Sequence, residues 1–303
     1  MEFDRRVEWF ECGGDNMLYA LVDCSGKRSL RKIYAEEMLG EVKVVVPKFT
    51  EKNGVKYAKL LIKKIDSYKV QNVLLSKNIE NNADFHRVIE ENRKYIVTGK
   101  RMGKAILPKI MNEISKYTKY PKEKMSMLLL MNEYSLENIE LVEWISSEIK
   151  QLNVLSRNYS KYEKSAKKLF NEFGYVVNLY NNDEIKEFKR VNVVINIDFK
   201  EDELKKINFA KNSVVVSLNE KIDNLKKGFN GIIINDVDIA GNFDDTKIYR
   251  KLALCEAKIY KPLRNLKENN RIFNTEKYII NGYIGKRGKI TVEEFEKVGK
   301  TFA

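Results

Sequence analysis

Between Met125 and Ile239 short apolar runs alternate with longer stretches of helical period, and no other feature constrains the fold of this chain as strongly. Strands that alternate with helices pair in parallel, because each helix carries the chain back to start the next strand in the same direction. The first run, Met125 to Met131 (MSMLLLM), is apolar without alternation. A strand covered by helices on both faces reads this way, and it is expected at the centre of the sheet. Ser135 offers an N-cap for the next helix, Glu137 and Glu140 fall in its first turns, and Ile139, Val142, Ile145 and Ile149 trace an apolar stripe. A short strand at Asn153 to Ser156, a helix from Ser160 to Glu172 ended by Gly174, and a strand at Tyr175 to Tyr180 complete a crossover unit. VNVVINI (191–197), SVVVSL (213–218) and GIII (231–234) supply three more strands. Six strands in this rhythm predict an α/β fold with a doubly wound, mostly parallel sheet of Rossmann type.

The flanking parts are less regular. Strands are expected at Leu18 to Asp23, Val42 to Val46 and Val70 to Leu75, and helices at Val55 to Ile65, Asp84 to Asn92 and Gly103 to Lys119. These describe a smaller N-terminal α/β domain. Thr246 to Lys267 reads as one long helix interrupted at Pro262, and the glycines at 282, 285 and 288 read as a hairpin. A length of 303 residues accommodates two cores of ordinary size. The expected division is an N-terminal domain over 1–120, a Rossmann-like domain over 121–242, and a C-terminal helix and hairpin over 243–303 that return to the first domain.

A hydrophobic share of 43% beside 33% charged residues describes a globular chain. No apolar run approaches the eighteen or so residues of a membrane span, and the N-terminus lacks a basic stretch followed by an apolar one, so a cytoplasmic protein without membrane contact is expected. Cys12, Cys24 and Cys255 form no CxxC pair, and with His86 as the single histidine no metal site is expected. The net charge of +13 is uneven. Residues 1–120 carry 24 Lys/Arg against 16 Asp/Glu, 121–240 carry 18 against 19, and 241–303 carry 14 against 8. Basic N- and C-terminal parts attract anions, including nucleic acid, although evenly spread lysines also make an ordinary solvated face.

In a Rossmann-type domain the first strand-to-helix turn holds a pyrophosphate against backbone N–H groups, and glycines allow that approach. Here the turn is Met131-Asn132-Glu133-Tyr134-Ser135, without glycine and with a carboxylate near the phosphate position. Two negative groups close together in a crevice repel. Ser156, Arg157 and Asn158 follow the second strand, where ribose selectivity is decided, and an arginine there suits the 2′-phosphate of NADP or is simply a surface arginine. The cofactor-binding candidates are therefore Asn132, Ser135, Ser156, Arg157 and Asn158. Asp198, directly after VNVVINI, lies where strand ends face the crevice; it is either an acid or base, or a cap for the segment with Glu201 and Asp202. Lys100, Arg101 and Lys104 form a basic cluster suited to a phosphate or carboxylate.

The stretch Leu152 to Val177 (LNVLSRNYSKYEKSAKKLFNEFGYVV) followed by VNVVINIDF resembles the second-strand region and the later strand of the glutamyl-tRNA reductase and shikimate dehydrogenase families. The resemblance covers about 120 residues by pattern and the rest by layout of domains. It implies a degenerate NAD(P)-binding Rossmann-type protein. Shikimate dehydrogenases pair a lysine from a Val-Thr-x-Pro-x-Lys turn with an aspartate; the partial echo here is Val45-Val46-Pro47-Lys48, with different spacing, and Thr98-Gly99-Lys100-Arg101 lacks the aspartate. Catalytic candidates are accordingly Lys48, Lys100 and Asp198. Neither Cys12 nor Cys24 sits in surroundings that match the nucleophile of the reductases. The expectation is a protein that binds a small anionic ligand in an interdomain cleft without the usual hydride chemistry. The alternatives are an NADP-dependent oxidoreductase of shikimate dehydrogenase-like layout and a nucleic-acid-binding protein using its basic ends. A homodimer is the default assembly.

Overall fold

The computed structural model describes residues 19–23, 33–38, 41–46, 51–80, 82–182, 187–219, 221–240, 247–258 and 278–302. The chain divides into two compact units, 1–96 and 97–303. The first contains strands β1 (Tyr19–Asp23), β2 (Tyr34–Met38) and β3 (Glu41–Val45), helix α1 (Gly54–Asp66), strand β4 (Asn72–Leu75), helix α2 (Ala83–Glu91) and strand β5 (Tyr95–Ile96). Its sheet has the order β2-β3-β1-β4-β5. All neighbours run parallel except β2, which joins β3 antiparallel at the edge. Val22, Val44, Val73 and Leu75 from the strands meet Ala58, Leu61, Ile65, Phe85 and Ile89 from α1 and α2 in one core. His86 lies on α2, and Asn82 caps that helix through a bond accepted from Phe85 N at 2.8 Å. Cys12, Cys24 and Lys48 lie outside the described residues.

The second unit opens with helix α3 (Lys100–Thr118), then strand β6 (Ser126–Leu130), helix α4 (Leu136–Glu148), strand β7 (Gln151–Ser156), helix α5 (Tyr159–Phe173) and strands β8 (Val177–Asn181), β9 (Glu187–Phe188) and β10 (Val193–Asn196). It continues through the single turn α6 (Glu201–Leu204), strands β11 (Asn208–Phe209), β12 (Val214–Ser217), β13 (Ile232–Ile234) and β14 (Asp236–Ile239), helix α7 (Lys251–Lys258), strands β15 (Ile280–Gly285) and β16 (Gly288–Ile290), and helix α8 (Val292–Gly299). Its main sheet has the order β8-β7-β6-β10-β12-β13, with every pair parallel. Numbered along the chain this is 3-2-1-4-5-6, the order of dinucleotide-binding domains. The fold is Rossmann-like, and β6 sits beside β10 at its centre.

The unbroken apolar character of β6 reflects burial on both faces. Met127 and Leu129 face one core with Ile106, Ile110, Leu141, Ile145, Tyr162 and Leu169, whereas Leu128 and Leu130 face another with Phe199, Leu204 and Ile222. The two faces are not covered alike. Helices α3, α4, α5, α7 and α8 contribute to the first core, but the second is covered by α6, the two-stranded pair β9 and β11, and the segment around Ile222. The expectation of helices on both faces of β6 is corrected here, since the crossover from β10 to β12 holds only one helical turn. Ser135 caps α4 as its sequence suggests, accepting from Asn138 N at 3.3 Å, and Gly174 ends α5 at φ 73°, a left-handed position where a side chain would be strained. Helix α7 starts at Lys251, not Thr246: residues 247–250 are not α-helical, and residues 259–267 lie outside the described residues. The glycines near the C-terminus do form a hairpin, β15 with β16, but β14 joins it in a separate antiparallel sheet.

Candidate functional site

The C-terminal ends of β6, β7 and β10 converge on the turn that precedes α4. Register explains the meeting. Leu130 pairs with Asn196 and with Leu155, so two residues further on Asn132 lies beside Asp198 and Arg157. Asp198 turns its carboxylate onto that turn and accepts from Asn132 N at 2.6 Å and Glu133 N at 2.8 Å. Two N–H groups of the segment that would face a pyrophosphate are thus bonded to a side chain of the protein itself, which is also an anion. The suggestion that Asp198 caps its own following segment is corrected by this geometry: the N-cap of α6 is Lys200, whose N–H donates to Glu203 Oε2 at 2.9 Å.

The remaining cofactor candidates share one network with it. Asn132 Oδ1 accepts from Arg157 N at 3.1 Å, Asn158 Nδ2 donates to Asn132 O at 2.6 Å, and the buried Ser156 Oγ accepts from Asn158 N at 3.0 Å. Asn132, Ser156 and Asn158 therefore stitch the β6 and β7 turns together, and Ser135 serves as the α4 cap. Arg157 has a side chain 62% exposed and forms an ion pair with Glu203. Lys48 aside, the structure brings every sequence-predicted site residue to this end of the sheet.

A second set of charges flanks the turn. Lys100 Nζ donates to Glu133 Oε2 at 2.8 Å, Lys104 Nζ meets Glu137 Oε2 at 3.3 Å, and Arg101 Nε approaches Glu137 Oε1 at 3.8 Å. Three cations stand against two carboxylates. The Lys104 side chain is only 3% exposed, and burial is the main cause that holds its pKa below the ordinary lysine value; Glu137 opposes that shift. The hydrogen bond from Lys100 is the main cause that lowers the pKa of Glu133.

Several contributors were not singled out from the sequence. Tyr162, buried on α5, donates to Glu133 O at 2.5 Å; burial raises its pKa, and its ring packs edge-on to Tyr134 at 5.1 Å. Asn138, fully buried at the start of α4, donates to the same carbonyl at 2.7 Å. Its position three residues after Ser135 is a hint available in sequence. Buried Glu256 on α7 accepts from Arg101 N at 2.9 Å and Met102 N at 3.2 Å, fixing the first turn of α3 and hence the basic cluster. Glu256 is itself held by a helix whose N-terminus is capped by Asp236, through Lys251 N at 2.7 Å and Leu252 N at 3.0 Å. Among the described residues no group of three or more His, Cys, Asp or Glu is placed to hold a metal ion, and no helix is long and apolar enough to cross a membrane.

No family model and no curated protein matches the sequence. Among solved structures the chain is similar to L-tryptophan dehydrogenase from Nostoc punctiforme, at 15% identity and a TM-score of 0.28, over 62% of this chain and 52% of that one. The match thus spans about half the length of that enzyme.

Proposed function

We propose that this protein binds a small anion at the Lys100, Arg101 and Lys104 cluster, at the C-terminal ends of its parallel strands, and does not transfer hydride. The observation that carries the reading is the Asp198 carboxylate on the N–H groups of Asn132 and Glu133. A dinucleotide pyrophosphate would meet a fixed negative charge there, and the glycine-free turn adds the Glu133 and Tyr134 side chains. A small carboxylate or phosphate has a different route. The Glu133 side chain is 53% exposed, so its ion pair with Lys100 is screened by water and stabilises by no more than ~1 kcal/mol. A ligand anion can take its place, and the buried Lys104 then adds attraction at lower dielectric.

The test is a thermal-shift titration with inorganic phosphate, malonate, NADP(H) and NAD(H), since a ligand that binds only the folded state raises the midpoint by mass action. The expected result is stabilisation by phosphate or malonate, lost in Lys104→Met, with no shift from dinucleotides. A shift produced by NADP(H) and lost in Arg157→Ala supports instead the NADP-dependent oxidoreductase of shikimate dehydrogenase-like layout. The exposed Arg157 guanidinium just beyond β7 favours that second reading, in which Lys100 or Asp198 would have to leave its present partner to act on substrate.

A further inference from the structure

Away from the turn before α4, a cavity of about 960 Å³ runs between the 223–233 segment, the tip of the β15 and β16 hairpin, and α8. Its rim carries Lys226, Lys227, Lys286, Arg287, Lys289 and Lys297, against the carboxylates of Asp223 and Glu294 only. Both carboxylates are engaged: Asp223 pairs with Lys221 at 2.9 Å, and Glu294 accepts from Thr291 N at 2.8 Å in the cap of α8. Lys227, Arg287, Lys289 and Lys297 form no ion pair among the described residues. Some exposed lysines elsewhere on this unit do meet carboxylates, as Lys205 does with Glu201 and Lys189 with Glu187. Gathering like charges around one concavity raises their mutual repulsion, which an anionic ligand relieves.

The hairpin sharpens the point. Gly288, at φ 112°, supplies the unusual backbone conformation of the turn, so neither Lys286 nor Arg287 at the tip is demanded by its geometry. Phe229 and Ile290 also line the cavity, with the Phe229 ring packed edge-on to Phe209 at 6.0 Å. A set of cations gathered on the rim of one concavity suits the phosphate backbone of a flexible single strand. We propose that this groove binds single-stranded nucleic acid, through the phosphates and independently of the anion site at Lys104.

The experiment is fluorescence anisotropy of the full chain with a labelled single-stranded oligouridine at about 50 and about 200 mM salt. Four phosphate contacts predict an affinity that falls by about 50-fold over that range, from a slope near −0.7 per contact. The double charge reversal Lys286→Glu with Arg287→Glu is expected to raise Kd by at least about 10-fold, consistent with loss of two such contacts. Lys164→Glu with Lys168→Glu on α5, an equal change of charge, is expected to leave Kd within about two-fold. Lys226→Glu with Lys227→Glu repeats the test on the opposite wall should the hairpin variant unfold. Absence of binding at low salt overturns the proposal, as does an equal loss in the α5 control. So does competition by ATP or polyglutamate as effective, per charge, as that by oligouridine.

Discussion

Replacing Asp198 removes the carboxylate that closes the turn before α4. It accepts two backbone N–H bonds, at 2.6 and 2.8 Å, and the residue is half-buried. Hydrogen bonds to a charged group contribute about 1.5–3 kcal/mol each when buried, and partial exposure together with rehydration of the freed N–H groups brings the pair to about 2 kcal/mol. Asp198→Ala is therefore expected to lose about 2 kcal/mol, and Asp198→Asn, which keeps one acceptor and no charge, about 1 kcal/mol. For a unit of the size of 97–303 this corresponds to a midpoint lowered by about 4–8 °C in the alanine variant. Calorimetry with and without inorganic phosphate provides the assay. The vacated N–H groups of Asn132 and Glu133 should accept an anion, so phosphate should restore more stability to Asp198→Ala than it adds to the parent. An alanine variant within about 0.5 kcal/mol of the parent would refute the reasoning, because the turn would then be equally well satisfied by water.

Other outcomes follow from buried titratable groups. Burial holds the pKa of Lys104 below the 10.5 of an exposed lysine, so between those values the unfolded chain binds more protons and this residue's contribution to stability rises with pH. Lys104→Met should lack that rise in urea midpoints measured from neutral pH to about 10.5, and should remain within about 1 kcal/mol of the parent at pH 7, since the partly exposed Glu137 stays hydrated. Tyr162 and Tyr283 have pKa values raised mainly by burial, so the stability they contribute is complete below pH 10.0 and is lost as pH rises beyond it. Phenylalanine at either position should reduce that alkaline loss in the same assay. Cys255 is buried, and burial, aided by Asp236, pushes its thiol up to about 12. Iodoacetamide at pH 8 should leave the Cys255 peptide unmodified in the native protein and label it after unfolding, as peptide mass spectrometry will read.

The six strands of the main sheet and the two long helices α4 and α5 were legible in the sequence because their causes are local. MSMLLLM carries burial on both faces, Ser135 carries a cap, and Gly174 carries a left-handed stop. Elements whose cause lies elsewhere were not legible. Strand β14 exists by pairing with β15 more than 40 positions away, and the two-residue strands β9 and β11 are too short to show a period. The site divides the same way. Residue types at strand ends nominated Asn132, Arg157 and Asp198, yet nothing local tells which partner each takes. That choice follows from the register of β6 against β10 and β7, which sets Asp198 on the N–H groups of Asn132 and Glu133 and Arg157 N on Asn132 Oδ1. Net charge over long segments likewise hid the basic groove, because Lys226 and Lys227 lie in the nearly neutral middle segment and join Lys286, Arg287, Lys289 and Lys297 only in three dimensions. Hydrophobic period and caps act over a few residues, and so the amino-acid order was enough to mark the main-sheet strands and the longer helices of the second unit. Tertiary structure alone decided which charges meet, because those distances depend on strand register and helix packing between residues far apart in the chain.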